Sequence, residues 1–429
     1  MLLGCGLKVR NHARCSSIAH IRCLLSTKID TLSLSADKFA EMLRNCGVSK
    51  NRLHHDLYPL QQGINAPKDE FPMAVALSGG ADSMALMLLL REYLQYNRIE
   101  TPLLAVTVDH QLRLGSSKEA LEVANICAQR GGIRHITKVC EWHSESKKQK
   151  IDEKQQYNMS RPVKPRSSKM EEQARQYRYS LLRQVCQTYR VRCLFVAHTR
   201  GDQLETTLFR LGRASGINGL AGIVKVHPFF SFDSMPVHSI NTSNAQSMAT
   251  LIRPLLSVTK KELMATCARF HQTWIQDPSN DDLVFDRVRI RQALKRVENE
   301  HGPEILDLIA RFQLSAEKAK HEFERIERAM LSKYIVIWEL NRVVIRIAVI
   351  HDPGMFLELL YRIVSIIVVH VGSKVTPPRL ASIQRLARDL ECLAKGKQLT
   401  LGGCRIKRIA KGCHLEFLPE QGHEFQDRN

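Results

Sequence analysis

The chain has 429 residues, 44% hydrophobic, 25% charged and 6% aromatic. That composition excludes wholesale disorder, collagen and coiled coil, and a length prior of about 150 residues per domain predicts two or three domains. Lys and Arg number 63 against 43 Asp and Glu, a formal net charge of +20, which points to a polyanion, either nucleic acid or an anionic membrane.

Residues 1–29 carry Lys8, Arg10, Arg14, Arg22 and Lys28 and no acidic residue. This is the pattern of a mitochondrial transit peptide; the alternative is a basic tail on a cytoplasmic protein. Residues 30–70 predict a helix over Ser35–Cys46, with Ser35 as N-cap, and then a linker. From Phe71 the period changes. Short apolar runs ending near Leu77, Asp109, Cys140 and His198 alternate with helical patterns at βαβ spacing. The fold class expected is α/β: a Rossmann-like open parallel sheet over 71–256, binding ligand beyond the C-terminal strand ends.

Residues 144–170 interrupt that domain with Lys147, Lys148, Lys150, Lys154, Arg161, Lys164, Arg166 and Lys169, and read as a basic insertion. A mainly helical region is expected over 257–333 and a small α+β region over 334–429. Within the latter, the apolar stretch 355–371 is interrupted by Glu358 and Arg362 and reads as a buried helix, so no membrane association is expected. Twelve cysteines form no C-x-x-C pair, which argues against a zinc knuckle, a redox dithiol and a disulfide scaffold.

The strongest local signal is Ser78-Gly79-Gly80-Ala81-Asp82-Ser83, between an apolar strand and an apolar helix. Glycines let successive N–H groups face an anion, and a helix N-terminus adds orphan donors. Asp82 would repel phosphate unless a cation lay between them, and Mg²⁺ bridges carboxylate to phosphate. The final Gly-Lys of a Walker loop is absent.

These residues resemble the PP-loop ATP pyrophosphatases. Further motifs follow in order: Val108-Asp109-His110-Gln111-Leu112-Arg113; Glu171, Ala174, Arg175, Arg178 and Tyr179; His198, Asp202 and Glu205; Ser215-Gly216-x-x-Gly219-Leu220; Arg253-Pro254-Leu255-Leu256; Trp274-x-x-Asp277-Pro278-Ser279-Asn280; and Arg287 with Arg291. The ordered set, from about Met73 to Leu294, resembles the tRNA(Ile)-lysidine synthases.

The resemblance implies ATP-dependent ligation of free L-lysine to the wobble cytidine of a tRNA(Ile) with a CAU anticodon. The 2-oxo group is first adenylated, releasing pyrophosphate; the lysine ε-amine then displaces AMP. It implies ATP contacts at Ser78 to Ser83, Asp109 and His110, and Mg²⁺ on Asp82 and Asp202. It implies catalytic roles for Asp82, His198, Asp202 and Glu205, and contacts to substrate or tRNA from Arg113, Glu171, Arg175, Arg178, Arg253, Arg287 and Arg291. The helical region would bind tRNA; whether the C-terminal region does, or only packs, is open, as is the oligomeric state, with a homodimer one option. The family usually has Asp where Gly201 stands, Gly at Ala214 and Asn at Val288. A tRNA thiolase of the same superfamily and a tRNA-binding relative with impaired catalysis are the alternatives.

Overall fold

A computed structural model describes residues 31–49, 71–99, 102–142, 170–230, 249–276, 286–372, 378–409 and 413–420, apart from a few positions inside those spans. The segment expected as a transit peptide, most of the expected linker and the expected basic insertion lie outside them. In chain order the first elements are α1 (Ala36–Asn45), β1 (Met73–Ala76), α2 (Ala81–Tyr96), β2 (Leu103–Asp109), α3 (Ser116–Arg130) and β3 (Ile133–Val139). There follow α4 (Met170–Thr188), β4 (Cys193–Phe195), α5 (Arg200–Gly212), α6 (Ile217–Leu220), β5 (Val226–Phe230), β6 (Ala249–Ile252), α7 (Lys260–Arg269) and α8 (Asp286–His301). The last are α9 (Glu304–Tyr334), β7 (Ile335–Glu339), β8 (Arg342–Arg346), α10 (Leu357–Val371), α11 (Leu380–Glu391), β9 (Gln398–Leu401), β10 (Cys404–Ile409) and β11 (His414–Pro419).

The described residues fall into two compact units. The first holds those within 1–214, 222–230 and 247–310. Its sheet has the order β3-β2-β1-β4-β6-β5, parallel throughout except that β5 runs antiparallel to β6. The Rossmann-like expectation holds. The strands β5 and β6 were not expected: four or five residues are too few for an alternation to register. Helix α2 is apolar nearly all round, with every residue from Ser83 to Leu90 buried, as a helix covered on all sides must be. α1 and α7 pack over it. Ser35 caps α1 by accepting from the Lys38 N–H at 3.2 Å, and a Thr259–Glu262 capping box starts α7. The expected boundary at 256/257 does not coincide with this division, because α7 packs on α2 and α8 on α5 within the first unit.

The second unit holds the described residues within 215–221 and 311–429. Its sheet is antiparallel, in the order β7-β8-β11-β10-β9. The stretch expected as a buried helix is α10, which buries Leu359, Leu360, Ile363, Val364, Ile367 and Val368 at helical spacing. No helix among the described residues is long and apolar enough to cross a membrane. β7 and β8 form an antiparallel hairpin, and Ile347–His351 then coils into a 3₁₀ turn. The Ser215-Gly216-x-x-Gly219-Leu220 motif also belongs to this unit. Gln313 Nε2 donates to the Ala221 carbonyl at 2.7 Å and Arg362 Nη1 to Asn218 Oδ1 at 3.0 Å.

Candidate active site

In the first sheet β1 lies between β2 and β4. Strand order reverses there, and the loops leaving β1 and β4 flank the crevice where such folds bind ligands. The loop after β1 is the glycine loop. Gly79 has φ +83°, and a Cβ there would lie 2.8 Å from Val123 Cγ2 and 3.0 Å from Ile275 Cδ1. Gly80 has φ −72° and is the N-cap of α2. Any residue tolerates that angle, and an added Cβ would meet only Ser78 Oγ at 3.7 Å. Ser83 Oγ donates to the Gly80 carbonyl at 3.0 Å, accepts from the Ser78 N–H at 3.2 Å and lies 3.1 Å from Ser78 Oγ. The two serines therefore brace the loop.

Asp82, in the first turn of α2, points a buried Oδ1 that has no hydrogen-bond partner. Burial pushes its carboxyl pKa up; Lys260 and Arg291 act to lower it and Asp202 to raise it further. Asp202 stands in the first turn of α5, on the other side of the crevice, and its Oδ2 accepts from Thr199 N at 2.7 Å and Thr199 Oγ1 at 3.0 Å. An orphaned, buried carboxylate oxygen beside a second carboxylate fits a hard divalent cation. Lys260 was not expected here. It is simply the first residue of α7, and only folding brings it near Asp82.

Glu205 shares the face of Asp202 but is buried and clamped. Arg291 donates to it through Nε at 2.7 Å and Nη2 at 3.2 Å. Burial pushes the Glu205 carboxyl up and Asp202 adds to the shift, while the bidentate Arg291 guanidinium opposes it. Arg291 thus reaches the carboxylates of the site while remaining partly exposed. One turn earlier, Arg287 acts electrostatically on His198, Arg178 and Glu205.

His198 follows β4. Arg253 Nε donates to its Nδ1 at 3.1 Å. A guanidinium only donates, so Nδ1 carries a lone pair and the ring hydrogen sits on Nε2. Burial pushes the imidazole down to about 4, with Asp202 opposing and Arg253, Arg175 and Arg287 adding to the shift. Arg253 itself is fixed by the Val224 carbonyl at 2.8 Å and by Tyr179. Arg175 lies over the Tyr179 ring, 5.1 Å from its centroid. The structure therefore gathers Arg175, Arg253 and Arg287 around one neutral histidine, with Arg178 beside Arg175 and Arg287.

At the end of β2, the Asp109 side chain accepts from Gln111 N at 3.0 Å and Ser117 Oγ at 2.7 Å. Burial acts to raise its pKa, but hydrogen bonds from Ser116, Ser117 and Gln111 outweigh it and hold the carboxyl below its usual range. It shapes the turn. His110 Nε2 accepts from Arg178 Nε at 2.9 Å, and its carbonyl accepts from Trp142 Nε1 at 2.7 Å. Arg113 is paired bidentately with Glu119, at 2.7 and 2.6 Å. The Glu171 side chain, Asp277 to Asn280 and Ala214 lie outside the described residues. Gly201 is open, since an added Cβ would meet only Thr199 Oγ1 at 3.5 Å, and Val288 is buried.

The fold and the loop define a PP-loop protein, and the family described as a PP-loop domain matches residues 54–298, more than half of the chain. Curated relatives narrow this. The tRNA(Ile)-lysidine synthase of Ruegeria pomeroyi is 30% identical over 351 residues, 81% of this chain and 71% of that protein. Those of Wolbachia pipientis wMel and Hyphomonas neptunium are 27% and 29% identical, over 79% and 82% of this chain and 69% and 82% of theirs. The chain belongs to the tRNA(Ile)-lysidine synthase family.

Proposed function

We propose that this protein is an ATP-dependent ligase that joins L-lysine to the wobble cytidine of a tRNA(Ile) with a CAU anticodon, releasing AMP and pyrophosphate. The observation that carries this is the pairing, across one strand-end crevice, of a phosphate-loop carboxylate lacking a partner with a ring of arginines around a neutral histidine. The loop N–H groups and the α2 N-terminus grip the phosphates. Asp82 and Asp202 would hold Mg²⁺, which when bound neutralises charge on the phosphates and on the departing pyrophosphate.

The cytosine 2-oxo oxygen attacks the α-phosphorus, and the bond to the pyrophosphate oxygen breaks. Arg175, Arg178, Arg253 and Arg287 supply the positive potential that this charge requires. His198 acts as a hydrogen-bond donor through Nε2, because Arg253 already occupies Nδ1. Lysine then attacks C2 through its ε-nitrogen and AMP leaves. An ammonium is not a nucleophile, so a proton must go. Of the two carboxylates on this face of α5, Asp202 would be engaged by the metal, and we assign the acceptor role to Glu205, with Arg291 orienting it. The address we propose is mitochondrial, supported by the basic, acid-poor segment 1–29; fusion of that segment to a reporter tests it.

The deciding assay supplies purified protein with ATP, Mg²⁺, labelled lysine and tRNA(Ile) bearing CAU. The expected product is lysine-labelled tRNA, with AMP and pyrophosphate in equal amounts. Intact tRNA binding without transfer would refute the assignment.

A further inference from the structure

Ile275 lies against the phosphate loop. Its N–H donates to the Gly79 carbonyl at 2.9 Å, and its side chain, with Val123, fills the space beside Gly79. The segment that carries it is tied down on both sides. Arg130 of α3 donates to Gln272 Oε1 at 3.1 Å and to the Phe270 carbonyl at 2.9 Å. Cys267 Sγ meets the Ala81 carbonyl, at the start of α2, at 3.4 Å. Trp274 and Ile275 pack against the core.

The consequence follows from peptide geometry. A trans peptide holds its C=O and N–H antiparallel. Turning the Gly79 carbonyl toward Ile275 turns the N–H of Gly80, in the same peptide plane, away from it. Gly80 is the N-cap of α2, so its N–H has no place in the helix ladder and is left to find a partner elsewhere. We propose that Ile275 is a positioning residue for ATP: its backbone N–H fixes the Gly79–Gly80 peptide so that the Gly80 N–H is presented to the phosphates. The sequence puts Ile275 in a motif remote from the loop. The proposal rests on the reading of the loop as the ATP phosphate site.

The test uses the full-length protein. Ile275→Pro removes the donor, Ile275→Val keeps both the donor and the branched side chain, and Ile275→Ala keeps only the donor. In Ile275→Pro, the Kd and KM for ATP are expected to rise about tenfold or more. Its tRNA affinity should stay within about twofold of wild type, a change of under half a kcal/mol. Ile275→Val should match wild type and Ile275→Ala should fall between. In the wild-type protein, amide exchange across 268–276 should slow when ATP saturates the site, because the clasp and the ligand stabilise the same loop. Unchanged ATP affinity in Ile275→Pro, an equal loss of tRNA affinity, or exchange indifferent to ATP would each overturn the proposal. Should Ile275→Pro not fold, the exchange measurement decides alone. Wild-type protein that does not bind ATP at all would instead refute the phosphate-loop reading.

Discussion

Asp82 Oδ1 is buried beside a second carboxylate with no hydrogen bond to offset its desolvation. The folded state therefore binds a proton at this group more tightly than the unfolded chain does. On its account, the ligand-free protein loses stability as pH rises through the carboxylate range to the raised value. Asp82→Asn should abolish lysine transfer yet stabilise the ligand-free protein by about 1 kcal/mol near neutral pH; the labelled-lysine assay checks the first half and calorimetry of the ligand-free protein the second. His198 has the opposite sign. Its folded value is pushed down to about 4, so its contribution to stability is full above the ordinary histidine range and is lost as pH falls through about 4. A His198→Asn variant should lack that share of the acid loss, and wild-type kcat/KM should show no titration of this histidine between pH 6 and 7. The hexapeptide itself made Asp82 legible, because a carboxylate among phosphate donors is chemically odd. The histidine tautomer was not legible, since Arg253 lies 55 positions away in sequence.

At the scale of elements, α5 and α8 meet through one buried pair. Arg291 holds both oxygens of Glu205, so an arginine read from sequence as a tRNA contact also secures the helix that bears Asp202. Removing it would leave a buried carboxylate unpaired. Arg291→Ala should cost about 2 kcal/mol, at the low end for a buried pair because the guanidinium is partly exposed. A denaturant titration checks this, and wild-type stability would return Arg291 to a surface role. Arg113 also reads as a substrate contact, and in the fold two of its N–H groups donate to Glu119 of the following helix. Spacing along one helix is visible in a sequence; which helix packs against it is not.

Over the whole molecule, the charge of +20 divides by what each cation already touches. In the second unit Lys407 pairs with Glu416 at 3.0 Å and Arg408 donates to the Leu390 carbonyl at 3.3 Å, whereas Arg385 is exposed on α11. If this unit binds tRNA, Arg385→Glu should reduce both the affinity and the salt slope, the slope by about one unit for each phosphate no longer neutralised, while Lys407→Ala should not. Filter binding across a salt series reads both; identical slopes would mean that this surface only packs.

Strand–loop–helix periodicity and a contiguous hexapeptide are local properties, so the parallel sheet, the phosphate loop and the family could all be read along the chain, and the charge excess pointed to a polyanion. Where the chain divides, and that Glu205 is clamped, emerged only on folding. So did the tautomer of His198 and the gathering of Lys260, Arg291 and Ile275 around the loop. Each of those depends on a partner far along the chain, and burial and charge act through space rather than along the backbone.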